Sequence, residues 1–221
     1  SQVKPGKYKI RDGMNNNELI NMLRAGNQIP VHFTFNNMRT LEEFADEAFE
    51  DLAVSKGELM GLLTDPNVLA EFGFNSNTIL AMFIPNTYDI YWNISAMDLL
   101  KRMKKEYTRF WNEKRIAKAQ EMGLSPEEVI TLASIIEEET IKAEEYPIIA
   151  GVYINRLNKG IKLDACLTLK FVLGDFTISR ILDRYLTIDS PYNTYMYAGL
   201  PPGPIRMASI KVIDSTELPE T

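Results

Sequence analysis

The stretch GLSPEEVITLASIIEEET, residues 123–140, decides how the second half of the chain is read. Ser125 suits an N-cap, Pro126 the first helical position, where no amide proton is needed, and Glu128 completes a capping box by reaching back to the cap. Together these residues fix where a helix starts, and a fixed start fixes its phase. At about 100° per residue, with Leu132 at zero, Ile136 falls near 40°, Val129 near 60° and Ala133 near 100°, so an apolar stripe centres close to 40°. Glu139 at about −20° lies inside that stripe, Glu138 near 240° lies outside it, and Glu137 near 140° lies on its flank. The phase therefore predicts that Glu139 points inward. A carboxylate on a buried face is costly unless paired or neutral, and burial favours the protonated acid, the form that a general acid needs. A second reading stays open from geometry alone: the helix ends near Thr140, and Glu139 caps it or meets a lysine.

The composition narrows the chemistry to such acids. With 221 residues, 45% hydrophobic and 24% charged, the chain suits one large domain or two small ones with a real core. A net charge of −6 argues against a broad nucleic-acid surface. The one basic run, KRMKKEYTRFWNEKR (101–115), alternates with Leu100, Met103, Tyr107 and Phe110 at helical spacing and reads as a solvated helix face. A single cysteine, Cys166, excludes an internal disulfide. The single histidine, His32, lies in the alternating run VHFTF and reads as a structural strand residue, which leaves too little for a zinc site or a Ser-His-Asp or Cys-His arrangement. No metal and no cofactor is expected, and no apolar run approaches the length of about 18 residues that a membrane helix needs.

Upstream, KYKI (7–10) reads as a short strand, RDGMNNNE as a turn into a helix with Leu19, Ile20 and Leu23 on its buried face, AGN as its end, and VHFTF as a returning strand. Thr40 and Glu43 form a second capping box at the start of a helical stretch reaching about Leu80. FIPNTYDIYWN (83–93) breaks the rhythm and reads as a crossover, followed by one long amphipathic helix over about 95–121. Downstream, IAGVYINRLNKG is a second apolar helix ended by Gly160, and the rest mixes short helices with a Pro/Gly-rich loop. The predicted fold is α+β: a small strand-helix-strand unit with a helical connector over 1–88, then a mainly helical domain over 89–221.

The second half resembles the YceG-like family of endolytic murein transglycosylases, through LASIIEEET, VYINRL with Glu145 upstream, and DSPYNTYMYAGLPPGPI, spanning Leu132 to Ile205. FIPNTY matches that family's connecting motif, and the first segment is similar to its LysM-like unit. The resemblance implies cleavage of peptidoglycan glycan strands internally, between N-acetylmuramic acid and N-acetylglucosamine, leaving a 1,6-anhydro end. It implies that the glutamate before the threonine of E-x-E-T, here Glu139, is catalytic, first as acid and then as base. Tyr192, Asn193, Tyr195 and Thr168 are the expected substrate-binding residues. Glu137, Glu145, Asn155 and Arg156 are expected around them, with Arg156 pairing one of the acids.

The family pattern also implies an extracytoplasmic location, anchoring by an N-terminal membrane helix that this chain does not show, and contact with cell-wall synthesis proteins. After NRLNKGIKL the chain departs from the family pattern. Asp164 stands where glutamine is expected, Cys166 where aspartate is expected and Leu167 where proline is expected, while Tyr146 replaces an arginine. Two alternatives follow: a degenerate member that binds glycan without cleaving it, and a hydrolase using Asp189 as a second acid.

Overall fold

Local capping sets most of the element boundaries. The computed structural model describes residues 3–218. In chain order the elements are α1 (Asn16–Ala25), β1 (Val31–Phe35), α2 (Leu41–Asp51), α3 (Lys56–Thr64), α4 (Pro66–Glu71), a 3-10 turn (Ile79–Met82) and β2 (Asn86–Ile90). There follow α5 (Ala96–Phe110), α6 (Glu113–Glu121), α7 (Pro126–Glu139), a second 3-10 turn (Ala143–Glu145), α8 (Tyr146–Asn158), α9 (Cys166–Leu173), α10 (Asp183–Leu186) and α11 (Ile210–Thr216). Both expected capping boxes form, Thr40 with Glu43 and Ser125 with Glu128, and Pro126 opens α7. The α+β class is as read: helices around a single two-stranded antiparallel sheet.

That sheet corrects the reading of the first half. β1 pairs with β2, Phe33 opposite Tyr88 and Val31 opposite Ile90. KYKI joins no ladder among the described residues; its Lys7 carbonyl accepts from the Ile29 amide at 2.8 Å. The reason lies in the buried face of VHFTF: Phe33 and Phe35 pack on Phe44 of α2, and Phe35 stacks on Tyr88, so the partner strand must bring its own inward aromatic. Tyr88 and Ile90 of NTYDI meet that need and are buried, a period masked in the sequence by Pro85 and the flanking aromatics; KYKI offers the same alternation in Tyr8 and Ile10, so the local pattern does not separate the two, and in the fold Ile10 is exposed. The expected crossover is therefore β2, and the expected boundary at 88/89 falls inside it. α1 buries no residue fully, and Ile20, expected inward, is exposed.

The expected single helix over 95–121 is two. Asn112 caps α6 by accepting from the amides of Lys114 and Arg115, which ends α5 at Trp111. Leu100, Met103 and Tyr107 are buried, Lys101, Lys105 and Arg109 of the basic run are exposed, and Arg102 and Arg115 are half-buried in ion pairs with Glu106 and Glu217. One hydrophobic cluster runs from Val31 to Ile213, and α7 sits in its middle, packed by α6, α8, α9, α11 and the first 3-10 turn. Residues Val129 to Ile136 are buried without interruption. No helix among the described residues is long and apolar enough to cross a membrane.

The loop over residues 199–209 is laid along α7. Gly203 approaches the backbone so closely that a Cβ there would lie 1.9 Å from the carbonyl oxygen of Asn77. Gly203→Ala is expected to cost about 2–3 kcal/mol by overpacking against backbone. Gly61, inside α3 with open space around it, is expected to gain about 0.5–1 kcal/mol on replacement by alanine. Paired urea denaturation curves check both signs.

Candidate active site

The end of α7 presents three consecutive carboxylates to three different surroundings. Along one side of the helix the loop 205–209 closes on Ser134, Glu137 and Glu138, which share a face through their i, i+3, i+4 spacing. The Ile205 amide donates to Ser134 Oγ at 3.1 Å, and the Ser209 amide, at the start of α11, donates to Glu137 Oε2 at 2.9 Å. The other Glu137 oxygen accepts from Asn37 Nδ2 at 3.2 Å. Glu138 is held by two guanidinium groups: Arg39 donates through Nε and Nη2 at 3.0 Å each, and Arg206 donates through Nη1. The Glu138 side chain is 8% exposed, that of Arg206 12% and that of Arg39 41%.

Glu139, by contrast, is exposed. The inward orientation predicted from the phase is thus corrected. A stripe argument assumes one wet face, but α7 is buried all round, so exposure at its end depends on which neighbours extend that far. Arg39 and Arg206 cover the Glu138 side, while Glu139 is left exposed to solvent. The burial expected for Glu139 belongs to Glu138, which sequence reasoning left outside; the signal available was a need for partners, but Arg39 and Arg206 are distant in the chain.

Glu139 Oε1 accepts from the hydroxyl of Tyr153 on α8 at 2.7 Å, its one side-chain hydrogen bond among the described residues. Tyr153 lies in VYINRL but was not among the expected site residues. Cys166 and Tyr195 face the same carboxylate. Burial pushes the Cys166 thiol up, and the Glu139 charge pushes it further. The Tyr195 phenol is raised by burial first, then by Cys166, Asp164 and Glu139, with Arg156 opposing. Glu139, Tyr153, Cys166 and Tyr195 are therefore the groups that the fold brings together.

The other expected residues have different places. Thr168 and Asn193 are fully buried and face protein, which corrects their assignment as substrate contacts. Asn193 Nδ2 donates to the carbonyls of Leu186 and Ile188, and its Oδ1 accepts from the Tyr195 amide at 3.0 Å, so it shapes the turn that presents Tyr195. Thr168 donates to the Ala165 carbonyl and meets Thr194 Oγ1 at 3.0 Å, which ties α9 to that turn. Tyr192 packs on Phe171, ring centroids 4.8 Å apart, and burial pushes its phenol up to about 12.

Arg156 does not pair with Glu137 or Glu145. It donates to Asp164 Oδ2 at 2.9 Å and to the carbonyls of Lys162 and Leu163, bracing the unusual segment before α9. Asp164 itself has φ 52°, the left-handed region that a side chain seldom adopts. Glu145 accepts from Thr140 Oγ1 at 2.6 Å and from Lys142, and the Thr140 bond foremost holds its carboxyl below the usual range. Asn155 is exposed on α8. Asp189 is exposed and accepts from the Tyr197 hydroxyl at 2.7 Å. A groove of about 870 Å³ opens near the other end of α7, among Ser125, Glu127, Glu128, Asn158 and Pro201, and shares no residue with the Glu139 surroundings.

The sequence model of the YceG-like family matches residues 1–221, the whole chain. The chain belongs to the YceG-like family. Among relatives, a protein of Bacillus subtilis named endolytic murein transglycosylase is 29% identical over 226 residues, covering 95% of this chain and 62% of that protein. One of the same name from Streptococcus pneumoniae D39 is 26% identical over 254 residues, covering 98% of this chain and 44% of that protein. The chain thus spans less than two thirds of the curated relatives it matches. The crystal structure of a YceG-like protein from Listeria monocytogenes superposes with a TM-score of 0.73 at 25% identity, covering 99% of this chain and 77% of that one.

Within this YceG-like fold, the charge coupling between Glu139 and Cys166 has a measurable sign. Removing the carboxylate in Glu139→Gln takes away a group that disfavours the thiolate, so iodoacetamide alkylation of Cys166 at pH 8 is expected to be faster in the variant than in the parent. Equal rates would show the two groups to be uncoupled.

Proposed function

We propose that the chain carries the catalytic part of a lytic transglycosylase that cleaves peptidoglycan glycan strands internally, between N-acetylmuramic acid and N-acetylglucosamine. The observation that carries this reading is the inequality among the three carboxylates. Glu137 and Glu138 spend both oxygens on the protein, whereas Glu139 is exposed and its Oε2 accepts no hydrogen bond among the described residues. The names borne by the relatives, and Glu139 as the acid of the family motif, support the same assignment.

The reaction asks little more of the protein than one acid. Protonated Glu139 gives its proton to the glycosidic oxygen as the bond from C1 of the muramic sugar breaks. The 6-hydroxyl of that sugar then bonds to C1 and surrenders its proton to the Glu139 carboxylate, which restores the acid and consumes no water. A hydrolase needs a second carboxylate to engage water or the sugar. Asp189, which the alternative would recruit, already accepts from Tyr197. The positive charge that develops on the sugar ring is served by oriented dipoles and close packing, and Tyr195 is the partly exposed aromatic placed to supply both. An extracytoplasmic place of action, next to the cell wall and the proteins that build it, comes with this substrate.

The test is to incubate the chain and its Glu139→Gln variant with purified sacculi and to resolve released muropeptides by mass spectrometry. Anhydro-ended products from the parent, falling by at least about 100-fold in the variant, are expected for loss of a general acid. Products one water heavier would indicate hydrolysis, and sedimentation with sacculi without any product from either protein would indicate a binding role; each overturns the proposal.

A further inference from the structure

Tyr153 is absent from the expected site residues, yet it makes the one side-chain hydrogen bond that Glu139 has among the described residues. We propose that Tyr153 is a positioning residue which, by donating to Oε1 of Glu139, confines the acid's proton to Oε2, the oxygen without a hydrogen-bond partner among the described residues. This rests on Glu139 being the reacting acid.

Tyr153 projects from α8, is 7% exposed, and has Glu139 Oε1 as its one hydrogen-bond partner among the described residues, at 2.7 Å. Its single proton therefore points at Oε1, because a buried hydroxyl that turned elsewhere would leave that proton without an acceptor. The groups facing Glu139 are Tyr153 from α8, Cys166 from α9 and Tyr195 from the loop; Arg156, further along α8, is engaged by Asp164. Burial first, then the Glu139 charge and its hydrogen bond, hold the Tyr153 phenol above the ordinary range, so it stays a neutral donor.

Two consequences follow for catalysis. While Glu139 is protonated, the occupied Oε1 leaves Oε2 to carry the proton, so the acid presents it in one orientation instead of two. After proton transfer, the charge left on the carboxylate keeps a donor already in place, which needs no reorganisation. A hydrogen bond to the charged form also favours that form.

The experiment compares the parent, Tyr153→Phe, and a protein carrying 3-fluorotyrosine at position 153, which keeps the ring and hydroxyl but donates more strongly. In glutamate-13C-carboxyl NMR, with the Glu139 resonance assigned by its absence in Glu139→Gln, the titration midpoint is expected higher in Tyr153→Phe and lower in the fluorotyrosine protein. On sacculi, kcat of Tyr153→Phe is expected to fall about 10- to 100-fold with KM unchanged, and the alkaline limb of its pH profile to move upward. Coincident carboxyl titrations in all the proteins would overturn the proposal. Because the titration reads the carboxyl itself, it decides the role of Tyr153 even if no product is released. An active Tyr153→Phe with the parental pH profile would remove the proposal and leave the transglycosylase reading standing. The fluorotyrosine arm serves if the phenylalanine variant melts well below the parent.

Discussion

The ion cluster of Glu138 with Arg39 and Arg206 is the interaction on which the rest of the site depends. It joins residues from the two ends of the chain to the central helix, at a carboxylate that is only 8% exposed. Such a cluster gives little net stability when intact, because desolvation offsets the attraction, yet losing one partner strands the others in a poorly solvated place. Its effect is therefore chiefly on arrangement. Arg206 anchors the loop that also bonds to Ser134 and Glu137, and Arg39 fixes the segment before α2. With that side of α7 sealed, the helix has one open edge at its end, and Glu139 occupies it.

The open edge is bounded by elements whose own polar groups are satisfied internally. Thr168, Thr194 and Asn193 bind α9 and the following turn to each other, and Tyr195 reaches the Glu139 surroundings from that turn. Arg156 and Asp164 brace the segment between α8 and α9. Cys166, at the start of α9, has its thiol pushed up by burial and then by the Glu139 charge.

What could be read in advance was whatever local chemistry controls. Ser125, Pro126 and Glu128 gave the start of α7, Thr40 and Glu43 the start of α2, and Gly160 the stop after α8, because caps and left-handed turns depend on a few adjacent residues. The α+β class was legible for the same reason. Long-range partnership was not. β1 takes NTYDI as its partner and leaves KYKI unpaired, and Asn112 divides what hydrophobic spacing alone reads as one helix. In the site, Glu139 was selected, but for an inward orientation that belongs to Glu138. Asn193 and Tyr192 stand out in the motif and build the loop, with Thr168 tying α9 to it, whereas Tyr153, which touches Glu139, resembles any other aromatic on an apolar helix.

In the proposed function, adjacent glutamates at the end of α7 divide structure from chemistry. Equilibrium denaturation of Glu138→Gln and Glu139→Gln, measured side by side in urea, tests it most directly. Glu138→Gln is predicted to lose at least about 2 kcal/mol by leaving its arginines without a counter-charge, and Glu139→Gln to stay within about 0.5 kcal/mol of the parent, as exposed positions usually do. A Glu139→Gln protein destabilised as much as Glu138→Gln would contradict the division and make Glu139 a structural acid like its neighbours.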